Sequence, residues 1–290
     1  MKKLVILLFY SFFLLLLGRN LAFLPSFNTS ERNSSPIPAI ELRENVKNLV
    51  PEFEGDYSIY YEDLKTGEAF GINHNTVLTA ASLNKLPIIF YLYHLAEKKE
   101  IDLEEKVVLQ ENDIQDYGTG VLRYEEPGGV YTLKKLAELA FKNSDNTAAH
   151  LLTIRIGESN IQSYVDLLGL SATNIAFNET SPRDIGLLLS LLYEDKITSV
   201  ALKKELFDYL SDTQFEDRIP RYIKGKARIY HKIGDSENMV HDAGIVDPSA
   251  RSGLGEKGPF ILVIITQGII DEEKAHENIG KIAQFVFDNR

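Results

Sequence analysis

The apolar positions of this chain form short strand-like runs near the start of its folded part, helix-like segments through its middle, and strand-like runs again toward its end. Tyr57-Ser58-Ile59-Tyr60-Tyr61 and Glu68-Ala69-Phe70-Gly71 flank Lys65-Thr66-Gly67, a β-hairpin signal. From Ser82 to about Asp212 the pattern is helical, in pieces at Ser82–Lys99, Leu133–Lys142, Asn146–Ile156, Ile161–Leu168, Pro182–Tyr193 and Val200–Leu210. Ser181-Pro182 is a helix start, with serine as cap and proline at the first helical position. Strands return at Ala227–Ile233, His241–Val246 and Phe260–Thr266. The last two are nearly continuous apolar runs, as buried central strands require. Helices are predicted at both ends, Ile40–Val50 and Ile270–Asn289, the second with Asp271 and Glu272 suited to its first turn. No internal repeat is present. The pattern predicts an α+β fold: a sheet built from both ends of the chain (40–81 and 213–290), terminal helices covering it, and a helical subdomain (82–212) inserted between.

The segment before residue 40 reads differently. Lys2 and Lys3 precede an apolar run from Leu4 to Leu17, closed by Gly18-Arg19. A basic start followed by about 14 apolar residues is a secretory signal pattern, and Leu21 to Leu24 extend it toward the roughly 20 residues of a membrane span. Residues 1–24 are therefore expected to be a signal peptide or an N-terminal membrane anchor. Residues 25–39, rich in Ser, Asn and Pro, are expected to be a linker. Either reading of the leader puts the domain 40–290 outside the cytoplasm.

Composition narrows the classes. The chain has 290 residues, no cysteine and a formal net charge of −11. Disulfides, zinc–thiolate sites and cysteine nucleophiles are excluded. The negative field disfavours nucleic acid and anionic membrane surfaces as partners, so membrane contact is expected only through the N-terminal segment. A chain of this length buries a sufficient core without disulfides, and it is expected to act as a monomer.

Three short motifs carry chemistry in combination. Ser82-Leu83-Asn84-Lys85 opens an apolar helix, Ser144-Asp145-Asn146 follows some sixty residues later, and Lys232-Ile233-Gly234 lies on a late strand. Alone, each has an ordinary structural explanation: a helix cap with a surface lysine, a second cap cluster, a solvated strand end. In this order they describe one cleft, at the seam between sheet and helical part. Ser82 at a helix start is a nucleophile candidate whose own N–H faces an oxyanion. Lys85, one turn along on the same face, is a general base once burial and a nearby cation, Lys232, make it neutral. Ser144 is a candidate proton relay to the leaving nitrogen and Asn146 a candidate substrate contact. The N–H of Asp235, just past Gly234, is a second oxyanion donor.

The chain resembles the class A β-lactamases and the wider penicillin-recognising serine hydrolases. Beyond the three motifs, Thr79-Ala80-Ala81-Ser82-Leu83-Asn84-Lys85-Leu86-Pro87 is similar to that family's nucleophile segment. Tyr131-Thr132-Leu133 leading to Asn143–Ala149 resembles its second motif and approach helix. Thr180-Ser181-Pro182-Arg183-Asp184 resembles the segment after its omega loop, and His241–Val246 the strand beside its third motif. The resemblance runs from about Tyr57 to the end. It implies a β-lactamase/transpeptidase-like antiparallel sheet, acylation of Ser82 by a β-lactam or a peptidoglycan stem peptide, catalytic roles for Ser82, Lys85, Ser144 and Lys232, substrate contacts from Asn146, Gly234 and Asp235, and no metal or organic cofactor.

Two departures from the family pattern bear on turnover. Ile233 stands where the third motif carries Thr or Ser, a hydroxyl that helps hold the substrate carboxylate. About ten residues, Ser171 to Thr180, replace the omega loop; they contain no Glu-x-x-Leu-Asn pattern, and Glu179 is their one carboxylate. β-Lactam hydrolysis through an acyl-enzyme on Ser82, with slow deacylation, is therefore expected, with a peptidoglycan D-Ala-D-Ala peptidase or transpeptidase and a non-hydrolysing penicillin-recognition domain as alternatives. Gly253-Leu254-Gly255-Glu256-Lys257-Gly258 matches a nucleotide-binding glycine pattern but falls between two strands and reads as a hairpin loop. His231 and His241 read as paired strand-surface residues or as lining the cleft, and Tyr117 and Tyr124 as an aromatic wall or ordinary packing.

Overall fold

The computed structural model describes residues 37–52, 54–211, 213–248 and 257–290; the expected leader and most of the linker lie outside the described residues. Helix α1 (Ala39–Leu49) leads into strand β1 (Asp56–Asp63), which returns as β2 (Ala69–Ile72). The hairpin forms because Asp63 Oδ1 accepts the N–H groups of Lys65 and Thr66, 2.9 and 3.0 Å away, and Gly67 takes the left-handed conformation that closes the turn.

A two-residue strand β3 (Leu78–Thr79) and a 3-10 turn (Ala81–Asn84) precede helix α2 (Lys85–Glu97). The helical part continues with β4 (Lys106–Val108), β5 (Val130–Thr132), α3 (Leu133–Lys142), α4 (Asn146–Ile156), α5 (Glu158–Leu167), β6 (Glu179–Thr180), α6 (Pro182–Tyr193) and α7 (Val200–Leu210). The chain then re-enters the main sheet as β7 (Arg228–Ser236), β8 (Met239–Asp247) and β9 (Phe260–Gln267), and ends in α8 (Glu272–Asn289). The five-stranded sheet has the order β2-β1-β9-β8-β7, antiparallel throughout. Side-chain caps define the helix starts: Thr132, Asp145, Ser181 and Asp271 each accept the N–H three residues on.

The apolar runs of the central strands follow from cover on both faces. Along β9, Ile261, Val263 and Ile265 join the core shared with the helical part, while Phe260, Leu262 and Ile264 join the core under the terminal helices. Burying one such side chain is worth about 1.5–3 kcal/mol, so neither face tolerates the polar alternation of a one-sided sheet.

Three details depart from the sequence expectations. The helix expected from Ser82 begins only at Lys85, because Ala81 is left-handed (φ 47°) and the N–H of Ala80 is held by Asn178 O at 2.7 Å. The region expected to be wholly helical carries the ribbon of β4 with β5 and also β6, which pairs with β3 just before that region; strands of two or three residues are too short for a period-2 signal. Strand β7 runs on to Ser236, so Lys232-Ile233-Gly234 lies inside a paired strand. The glycine-rich segment connects β8 to β9, although Gly253–Glu256 lie outside the described residues. Among the described residues no helix is long and apolar enough to cross a membrane.

Candidate active site

The three motifs meet at one cleft. Ser82 stands second in the 3-10 turn and Lys85 is the first residue of α2, so three residues of tight turn set the lysine back toward the hydroxyl. Lys85 Nζ lies 2.8 Å from Ser82 Oγ, 2.8 Å from Ser144 O, 2.7 Å from Asn146 Oδ1 and 3.3 Å from Ser144 Oγ. A neutral amine has two N–H donors and one lone pair. It can donate to Ser144 O and Asn146 Oδ1 while its lone pair receives the Ser82 hydroxyl. Lys85 is 5% exposed, and burial lowers its pKa to about 7 against the opposing pull of Asp145.

Ser144 occupies the bend between α3 and α4 in the left-handed region (φ 51°). Its Oγ also accepts from Lys232 Nζ at 2.8 Å, and that amine donates to Ile233 O at 2.9 Å. One hydroxyl thus bridges two lysines arriving from α2 and β7. Burial, then the positive charge of Lys85, holds the Lys232 pKa well below the usual lysine value.

The bend is fixed by Asp145. Its buried carboxylate accepts the N–H groups of Val121, Leu122 and Ala148 at 2.6, 2.8 and 2.9 Å, joining the 117–124 loop to the start of α4. Thr119 Oγ1 donates to Ser144 O at 2.8 Å. Gly120 (φ 130°) has no room for a side chain, since a Cβ there would lie 2.5 Å from Asp145 Cγ. Gly234 makes the second close approach: a Cβ on it would stand 3.1 Å from Ala80 O and 3.3 Å from Leu83 Cγ, so its hydrogen lets β7 lie against the turn that carries Ser82.

A cleft of about 570 Å³ opens over this array, lined by Ser82, Lys85, Tyr117, Asn146, His150 and Asp235 among others. Ser144 and Lys232 lie beneath it, 1% and 2% exposed. The amide of Asn146 is engaged at both ends, accepting from Lys85 and donating to Tyr117 O at 3.0 Å. Tyr117 lines the cleft, whereas Tyr124 is exposed and lies under the Arg123 guanidinium. Among the described residues no group of three or more His, Cys, Asp or Glu side chains is placed to hold a metal ion.

The model of the beta-lactamase enzyme family matches residues 41–289. The chain belongs to that family. It is 22% identical over 220 residues to the beta-lactamase BRO-1 of Moraxella catarrhalis, a match covering 69% of this chain and 70% of that one. PBP-A is similar in structure, with a TM-score of 0.78 and 25% identity over 87% of this chain and 96% of PBP-A. The beta-lactamase from Sphaerobacter thermophilus superposes with a TM-score of 0.78 at 24% identity, covering 87% and 97% of the two chains. This family member is a serine hydrolase of β-lactamase-like fold.

Its two histidines near the third motif differ from the sequence expectation. His231 and His241 are buried, 1% and 0% exposed, and pair with Gly244 and Gly234 rather than with each other. On one face of the sheet His231 Nδ1 contacts Asp242 Oδ1 at 2.9 Å. On the other, His241 Nδ1 accepts the N–H of Thr266 at 3.1 Å, which places its proton on Nε2, 3.0 Å from Thr79 O. Burial lowers the His241 pKa to about 4. This neutral ring ties Thr79 of β3, three residues before Ser82, to the centre of the sheet. Strand periodicity assigns a residue to a face but not the partner that covers it, so the sequence did not show what His231 and His241 pack against.

Arg218 carried no sequence signal at all. It is 2% exposed; Nη1 donates to His241 O and Nη2 to Asp235 Oδ2, both at 2.8 Å, and Nε lies 3.5 Å from Asp217. Glu179 lies in β6, its main chain bonded to Asn174, and it does not line the cleft; Ile175 and Asn178 represent that segment there.

Proposed function

We propose that the chain is an extracytoplasmic serine hydrolase that forms an acyl-enzyme on Ser82 from β-lactams and releases it slowly. Neutral Lys85 takes the Ser82 proton as Oγ bonds to the carbonyl carbon. The N–H groups of Ser82 and Asp235 stabilise the oxyanion, and Gly234 keeps the strand carrying the second of them against the turn. Ser144 passes a proton to the departing nitrogen, drawing on the lysine network, and the C–N bond breaks to leave an ester on Ser82. Lys232 holds Ser144 in place and supplies positive charge. Water then adds to the ester carbon, and departure of Ser82 Oγ restores the enzyme. The observation that carries this reading is the single amine of Lys85 within 2.8 Å of both Ser82 Oγ and Ser144 O.

Slow release follows from the cleft lining, where the carboxylates are Glu158 and Asp235 and the 171–180 segment contributes none. That same lining favours a second reading, a peptidoglycan D-Ala-D-Ala peptidase or transpeptidase, for which an acceptor other than water resolves the ester. A point variant of PBP-A has been solved as its acyl-enzyme complex with penicillin G. The test is a chromogenic cephalosporin assay joined to intact-mass measurement. A Ser82 adduct that forms and then decays with slow steady turnover supports β-lactam hydrolysis, and fast turnover with no detectable adduct overturns the slow release. A lasting Ser82 adduct with negligible turnover supports the peptidase reading. No adduct with any β-lactam or stem-peptide analogue overturns both.

A further inference from the structure

The cleft does not stop at the reacting groups. Asn146, Ala149, His150 and Thr153 line it at helical spacing, so one stripe of α4 faces the opening. At 1.5 Å per residue this stripe carries the cleft about 10 Å past Asn146. Glu158 also lines it, just beyond Gly157 (φ 84°), which turns the chain from α4 into α5. The 171–180 segment contributes Ile175 and Asn178 to the lining. Asn84 Nδ2 donates to Ile175 O at 3.3 Å and the N–H of Ala80 to Asn178 O at 2.7 Å, which ties that segment to the Ser82 turn. Of the charged side chains in the lining, Lys85 is buried in the Ser82 network and Asp235 is bonded to Arg218. Glu158 is exposed, and among the described residues its carboxylate has no ion pair or hydrogen bond.

We propose that this α4 arm is a subsite for a long peptide acyl chain that carries an amine, and that Glu158 pairs with the amine while the scissile carbonyl lies over Ser82. The proposal rests on acylation of Ser82 and names the class of its acyl donor. Lys232 holds Ser144, the proton donor to the leaving nitrogen, from β7. The leaving group therefore lies toward β7 and the acyl chain toward α4. An extended peptide spans about 3.3–3.6 Å per residue, so about three residues beyond the carbonyl reach Thr153 and a fourth brings a cationic side chain to Glu158. A short acyl group such as phenylacetyl ends before it.

The test uses penicillanates whose 6-amino group carries a chain of about four residues ending in Nα-acetyl-lysine, with the ε-amine free or acetylated. A second pair carries the lysine alone. Second-order acylation constants are measured in the wild type, in Glu158→Gln and in Glu158→Lys. For the long pair the free-to-acetylated ratio should be about five-fold in the wild type, the size an exposed ion pair allows. It should fall near one in Glu158→Gln and below one in Glu158→Lys, and 1 M salt should shrink it. The short pair should show no preference. A wild-type ratio near one, a ratio that survives Glu158→Gln, or equal ratios for the long and short pairs would overturn the subsite. Calorimetric binding of the long pair to Ser82→Ala, with and without Glu158→Gln, separates this proposal from the Ser82 scheme. A Glu158-dependent preference in binding without acylation of the wild type would sink the scheme and keep the subsite. Acylation without the preference would do the reverse, and the absence of both would remove both.

Discussion

Lys232 Nζ donates to Ser144 Oγ across 2.8 Å although the two residues stand 88 positions apart. The contact exists because β7, an edge strand of the sheet, lies against the turn that carries Ser82, and because the α3–α4 bend delivers Ser144 from the helical part. The proposed proton relay, held between the amines of Lys232 and Lys85, should be costly to remove. Ser144→Ala is expected to slow acylation by about 10²–10⁴-fold, with the far-ultraviolet circular dichroism unchanged. A rate within three-fold of the wild type would assign the leaving-group proton to another donor.

The reaction should follow the protonation of Lys85. With its pKa lowered to about 7 by burial, the acylation constant is expected to rise roughly ten-fold per pH unit below that value and level above it. Lys85→Arg keeps the charge but cannot lose its proton near neutrality. It should abolish the pH-dependent limb and lower the plateau by at least about 10²-fold. A flat profile in the wild type would remove lysine from the base role.

Asp145 is expected to matter first for stability. Asp145→Ala strips an acceptor from three backbone N–H groups, two of them in the 117–124 loop that positions Tyr117 and Thr119. An unsatisfied buried donor costs about 1–3 kcal/mol. The total should lie near 3 kcal/mol or above, seen as a Tm fall of about 10 °C. Acylation should weaken as well, because Asn146 and Ser144 lose their fixed bend. Thermal unfolding and the acylation constant of one preparation measure both effects.

The buried His231 gives a pH-dependent stability of defined sign. Burial opposes its charged form, but Asp242 at 2.9 Å and Glu216 at 3.6 Å override that and raise the pKa from 6.5 to about 9. The resulting stabilisation is full below pH 6.5 and is lost as the pH rises through about 9. Denaturant unfolding of the wild type and His231→Gln should therefore differ most below pH 6.5. The difference should shrink by on the order of 3 kcal/mol by pH 10. A difference independent of pH would mean that His231 is held neutral.

Much of this molecule could be read from its residues in order. The apolar run 260–266 needs cover on both faces of a strand, Ser181-Pro182 starts a helix, and Ser82, Lys85, Ser144 and Lys232 stand in motifs whose types and order restrict the chemistry. These properties are local, set by side-chain size, charge and backbone preference over a few residues. The tertiary structure decided what depends on neighbours far along the chain. Ser82 sits in a 3-10 turn rather than a helix because Asn178 O holds the preceding strand. His231 and His241 are buried on opposite faces because other elements close both sides of the sheet. Arg218, unmarked in the sequence, becomes the buried partner of Asp235. Solvent exclusion and electrostatic pairing arise only when distant segments meet, and no spacing of residues along one strand encodes the partner that closes over it.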